Sequence, residues 1–148
     1  MRRIGLLLLI AAATACQKTN SGSAAAPTVA DTVAVALTKF DPAMFDTVHW
    51  ASDSVRLARG ADVFKWACAE CHGPRGYGDG GKVTAKGDTL RPPNFHAGWR
   101  LAGDPMGVRR KVYTGNVQGM PHWGLRHIEP RDIDAVSAYI LTVLHPAP

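Results

Sequence analysis

Cys68-Ala69-Glu70-Cys71-His72 is a C-x-x-C-H pentapeptide, the spacing at which two thiols form thioether bonds to the vinyl groups of a c-type haem. The histidine beside the second cysteine is placed to ligate the iron from one side. A chain with one such motif carries one haem c, attached at Cys68 and Cys71 with His72 as an axial ligand. Competing uses of the pair fit less well. Structural zinc takes four ligands, often from two such pairs, and the remaining cysteine, Cys16, is far upstream. A thioredoxin-like pair would sit beside a β-α-β pattern, and none flanks this one.

Outward from the motif, the N-terminal residues read as an export leader. Arg2 and Arg3 form a positive start and Ile4 to Ala13 an apolar run, too short for a comfortable membrane span. The run ends in Ala13-Thr14-Ala15-Cys16, which resembles a bacterial lipoprotein cleavage site, although Ala13 stands where leucine is usual. A signal peptide over residues 1–15 and lipidation of Cys16 are therefore expected; an ordinary secretory leader is the alternative. Cysteine arithmetic favours lipidation, because the third cysteine would otherwise be an unpaired exported thiol. The net charge of +5 falls by two when Arg2 and Arg3 leave. Two haem propionates lower it to about +1, so a nucleic-acid-binding surface is not expected.

Residues 16–40 read as a lipidated N-terminus and flexible tether, because Ser21 to Pro27 is small and polar. Residues 41–52 differ: Met44, Phe45, Val48 and Trp50 predict an extension packed on the domain. The domain proper is expected over 53–148. Ser52 or Asp53 is a plausible N-cap for a helix running into the haem motif, with Leu57, Ala61, Phe64 and Cys68 on one face. Gly60 inside that helix costs about 1 kcal/mol relative to alanine, which implies that another backbone passes close by. A short helix is expected from Pro105 to Thr114, capped by Asp104 and ended by Gly115. A last helix starts at Pro130, carries Asp132 and Asp134 near its positive end, and presents Ile133, Val136, Ile140 and Val143 as its apolar stripe. Tyr139 lies beside that stripe and is expected over Gly60 and Phe64. The Gly- and Pro-rich stretches between read as loops around the haem.

Gly60-Ala-Asp-Val-Phe64 leading to Cys68-x-x-Cys71-His72-Gly73, the downstream Gly119-Met120-Pro121, and a final helix with Asp132-Ile133 and Ala138-Tyr139-Ile140 together resemble a class I monohaem cytochrome c over roughly residues 53–145. The resemblance implies an all-α fold with crossed N- and C-terminal helices and loops wrapped around one covalent haem. It also implies Met120 as the second axial iron ligand, opposite His72. Among the methionines, Met44 precedes the motif and Met106 starts a helix; Met120 alone lies in a Gly-Met-Pro turn that can cross the haem face. His122 is the nearest competitor. Family members use a proline carbonyl to accept from the ligating histidine, which points to Pro92 or Pro93. Arg91, Trp99 and Trp123 are candidate propionate contacts. Gly76-Tyr77-Gly78-Asp79-Gly80-Gly81 lacks the G-K-[ST] of a phosphate loop and reads as a haem-edge loop. Arg109-Arg110-Lys111 reads as a solvated face, with a docking patch as the alternative.

Iron held by His72 and Met120 has no open position, so the implied role is one-electron transfer and not catalysis, with no small-molecule substrate. The lipid-anchored build, glycine loop, Pro-Pro segment and Gly-Met-Pro loop are narrowly similar to the monohaem subunit of alternative complex III. Redox proteins, as membrane respiratory complex subunits, are the expected partners, on the periplasmic face. A mobile carrier serving an oxidase or a periplasmic dehydrogenase is the alternative. A haem enzyme or gas sensor would require the sixth iron position to be open or labile.

Overall fold

In a computed structural model the described residues are 25–85 and 87–145. The leader and the lipidation site at Cys16 lie outside them. Among the described residues there is no β-strand; Val83 and Thr89 form an isolated antiparallel bridge. The fold is all-α.

Among the described residues five α-helices appear in chain order: α1 (Val29–Lys39), α2 (Asp53–Val63), α3 (Ala69–His72), α4 (Pro105–Thr114) and α5 (Pro130–Tyr139). Short 3-10 turns cover Pro42–Phe45 and Trp123–Leu125, and π-helical segments cover Phe64–Cys68 and Ile140–Leu144.

The core is the crossing of α2 and α5. Ser52 caps α2, its Oγ accepting from the Val55 N–H. Val63, Phe64, Ile133, Val136 and Ile140 are each at most 3 % exposed, and burying a side chain of this size stabilises by about 1.5–3 kcal/mol. The helices approach so closely at Gly60 that a Cβ there would collide with the Ala135 carbonyl oxygen and the Tyr139 Cβ. Tyr139 also meets Phe64, ring centroids 5.7 Å apart. A glycine in mid-helix, unfavourable locally, permits this backbone contact.

The last helix departs from the expected stripe at its end. Val143 is 47 % exposed, while Leu144 is buried. The cause is the π turn over Ile140–Leu144: one extra residue in the turn rotates the subsequent residues by about 100° around the axis. Asp132 and Asp134 likewise do more than face the helix dipole. Asp132 pairs with Arg59 at 2.6 Å. Asp134, nearly buried, accepts from Arg56 Nε (2.8 Å), Arg56 Nη2 (2.7 Å), Arg109 Nη2 (2.5 Å) and Trp50 Nε1 (2.9 Å). One carboxylate thus joins α2, α4, α5 and the stretch before α2. Burial raises its pKa, but the hydrogen bonds from Arg56, Trp50 and Arg109 outweigh that and hold it below the usual carboxylate value.

The tether expected over residues 16–40 is corrected for its second half. Val29–Lys39 is helical, opened by a capping box in which Thr28 and Asp31 satisfy each other's backbone donors. Ala36 is fully buried, and Phe40 meets Tyr113 of α4 (5.5 Å) and Phe45 (6.2 Å). Small residues at Ala30, Ala34 and Ala36 hid the helix, because its apolar stripe is thin. In the 41–52 stretch, Phe45 is buried and Trp50 donates to Asp134.

Candidate functional site

The motif sits where the first long helical run changes pitch. α2 ends at Val63, the chain passes through the π segment Phe64–Cys68, and α3 carries Cys71 and His72. π turns widen the helix and commonly occur at functional sites. Cys68 and His72 line one cavity of about 610 Å³, inside the range of small-molecule and cofactor clefts, about 300–1,000 Å³. Met120, Pro93, Phe95, Trp99 and Asn116 also line it, as do apolar side chains of α4 and Ile140.

His72 is 9 % exposed, and its ring stacks on Phe95 at 4.7 Å with 15° between planes. Burial pushes its pKa down to about 4, so at neutral pH the imidazole keeps the lone pair that a metal needs. The Pro93 backbone pulls the other way, favouring the proton, but falls short of a formed hydrogen bond: His72 Nδ1 is buried with no partner. Burial likewise pushes the Cys68 thiol up to about 12. Cys68 and Cys71 are not joined in a disulfide.

The glycine loop folds back over the motif. The Gly78 N–H donates to the His72 carbonyl (2.8 Å) and the Gly80 N–H to the Cys71 carbonyl (3.1 Å). Gly78 has φ +79°, and a Cβ there would crowd the Pro92 carbonyl. The opposite side comes from α4. Asp104 caps it, accepting from the Gly107 N–H at 2.8 Å, and its C-terminus runs into Gly115, Asn116 and the Met120 turn.

Of the residues singled out from sequence, the cavity brings together Cys68, His72, Pro93, Trp99 and Met120. Cys71 is half-buried and is not among the lining side chains. Arg91 is exposed and away from the cavity, and Pro92 packs against Gly78. Trp123 instead meets Trp66 edge to face at 5.9 Å. His122 is also outside the lining. The basic triplet is divided: Arg109 binds Asp134, and Lys111 reaches the cavity. Arg100, Lys111, Asn116 and Phe95 are lining residues that sequence reasoning did not single out as site residues. Phe95 lies two residues past the Pro-Pro pair and Lys111 belongs to the basic triplet; Arg100 and Asn116 carried no local signal.

An apolar cavity, two unbridged cysteines, a neutral buried imidazole with an orphaned Nδ1, and a thioether all suit a covalently held haem. The chain is similar to known proteins in the same terms. The family model described as "Cytochrome C oxidase, cbb3-type, subunit III" matches residues 55–140. The cbb3-type cytochrome c oxidase subunit FixP of Azorhizobium caulinodans is 30 % identical over 92 residues, covering 62 % of this chain and 28 % of the relative. The cbb3-type cytochrome c oxidase subunit CcoP of an Azospirillum species is 30 % identical over 91 residues, covering 61 % of this chain and 29 % of the relative. The matched span is thus less than a third of either relative's length. No solved structure matches the chain. The chain belongs to this family of cytochrome c domains, and its cofactor is a covalently bound haem c.

Proposed function

We propose that the chain is a one-electron carrier of a respiratory chain, with Cys68 and Cys71 holding the haem and His72 and Met120 as the axial pair. The observation that carries this is the convergence of Cys68, His72 and Met120 on one apolar cavity. Bound there, the haem supplies a reversible one-electron couple. The residues of the chain set its conditions. His72 offers a neutral nitrogen, and the Pro93 backbone, short of a formed hydrogen bond with Nδ1 here, would accept its proton once the haem is held. Met120, which lines the same cavity, would hold the iron at its remaining position, where thioether ligation favours the reduced state. Phe95, Val108, Val112 and Ile140 exclude water. Arg100 and Lys111, cavity-lining cations, suit the two propionates in place of Arg91 and Trp123.

By their names the two relatives are subunits of cbb3-type oxidases, which supports a membrane respiratory complex as this chain's partner. No helix among the described residues is long and apolar enough to cross a membrane. Lipidation at Cys16 is the proposed means of membrane attachment, on the extracytoplasmic side. The glycine loop and Gly-Met-Pro turn favour a second reading, a subunit of a quinol-oxidising complex resembling alternative complex III.

The test uses haem-matured protein with its native membranes. Reversible single-electron titration, with oxidation by membranes in the presence of oxygen, is expected for a carrier to an oxidase. Reduction by membranes supplied with quinol would select the second reading. A protein that turns over peroxide or another substrate by itself would overturn both.

A further inference from the structure

The Met120 turn is short, glycine-bounded and only partly buried, yet one side chain holds it. The Asn116 Oδ1 accepts from the Met120 N–H at 3.1 Å and from the Gln118 N–H at 3.0 Å. The Asn116 backbone N–H donates to the Met120 carbonyl at 3.1 Å. Both backbone polar groups of Met120 are therefore tied to the same residue. Asn116 follows Gly115, whose φ is +64° and where a Cβ would collide with the Met120 and Pro121 backbones. The turn is thus folded directly onto the end of α4, which Arg109 binds to Asp134 of α5. Asn116 also lines the cavity.

We propose that Asn116 is the positioning residue for the distal ligand: its side-chain carbonyl fixes the turn so that the Met120 thioether stays over the cavity and resists displacement. This rests on the reading of Met120 as the axial ligand. Asparagine suits the position because one oxygen with two lone pairs can accept from both amides. Aspartate keeps those acceptors; valine keeps much of the shape and removes them.

The experiment compares carbon monoxide binding to reduced, haem-matured wild type, Asn116→Val, Asn116→Asp and Met120→Ala, together with each reduction potential. Asn116→Val should bind carbon monoxide at least about tenfold faster than wild type, the factor for losing one hydrogen bond of ordinary strength, and its potential should fall. Asn116→Asp should stay within about threefold of wild type in that rate, well short of the factor for one lost hydrogen bond. Carbon monoxide resistance in Asn116→Val equal to wild type would overturn the proposal, as would Asn116→Asp being as labile as the valine variant. Should Met120→Ala bind carbon monoxide no faster than wild type, the ligand reading itself fails, an outcome separate from the other two. If Asn116→Val does not mature, amide hydrogen exchange on the wild-type holoprotein decides. Protection at both Gln118 and Met120 is expected, and exchange as fast as at exposed loop amides would overturn the assignment.

Discussion

The two sides of the cavity are built in opposite ways. The His72 side is mostly local: a π segment, one turn of α3, and a glycine loop that hydrogen-bonds back to the carbonyls of Cys71 and His72 within eight residues of His72, with the Phe95 ring as its distant contact. The Met120 side is assembled from distance. Its turn hangs from the end of α4, α4 is bound to α5 through Arg109 and Asp134, and Asp134 is bound in turn to Arg56 and Trp50. A site made of contiguous residues survives changes elsewhere; one suspended from tertiary contacts inherits their weaknesses. The His72 side should therefore fail mainly when its own residues, or Phe95 stacked on it, change. The Met120 side should respond to residues that never touch it.

The largest expected effect lies on the local side. Replacing Cys68 and Cys71 together with alanine should abolish covalent haem, read as complete loss of haem staining on a denaturing gel. Retained staining would mean that attachment lies elsewhere. On the other side, Asp134→Ala leaves Arg56 and Arg109 without their carboxylate, and breaking a mostly buried pair costs about 3 kcal/mol. Denaturant unfolding of the holoprotein should show that loss, with faster carbon monoxide binding and an intact haem attachment. A loss below about 1 kcal/mol would show that α4 is held by other contacts.

The same carboxylate gives a pH signature. Its folded pKa is depressed, so its contribution is fully present above the unfolded value near 3.9 and disappears as pH falls through the lower folded value. Wild type should thus lose stability in acid more steeply than Asp134→Asn; parallel acid profiles would remove Asp134 from the account. Gly60→Val, striking the crossing that both sides share, should cost about 2–3 kcal/mol by overpacking, because the obstacle is the Ala135 backbone and not a movable side chain. The smallest effect is at the direct link between the sides. Trp66, on the π segment, meets Trp123 just beyond the Met120 turn. A double-mutant cycle of Trp66→Ala and Trp123→Ala should give a coupling of about 1 kcal/mol, and zero coupling would leave the two sides joined only through the core.

This division also explains what the sequence made legible. The pentapeptide, the Ser52 cap, Gly60 and the bounds Pro105–Thr114 each carry a local signal, and the structure has the cap, the close approach and the helix there. Helix α1 escapes a reading by periodicity because alanines dilute its stripe, and Val143 is misplaced by it because a π turn leaves no mark in residue spacing. Arg91 and Trp123 are attractive by type alone, whereas Arg100 reaches the cavity through the path of a loop that periodicity does not describe, and Lys111 through the way α4 packs. Asn116 is legible only after the turn it holds has been seen.

The most direct test of the central claim is the optical spectrum of the reduced, haem-matured protein with and without carbon monoxide. His72 and Met120 as the axial pair predict a low-spin spectrum that does not change on the timescale of mixing. A rapid shift to a carbonyl spectrum would contradict the account and open the iron to ligands from solution.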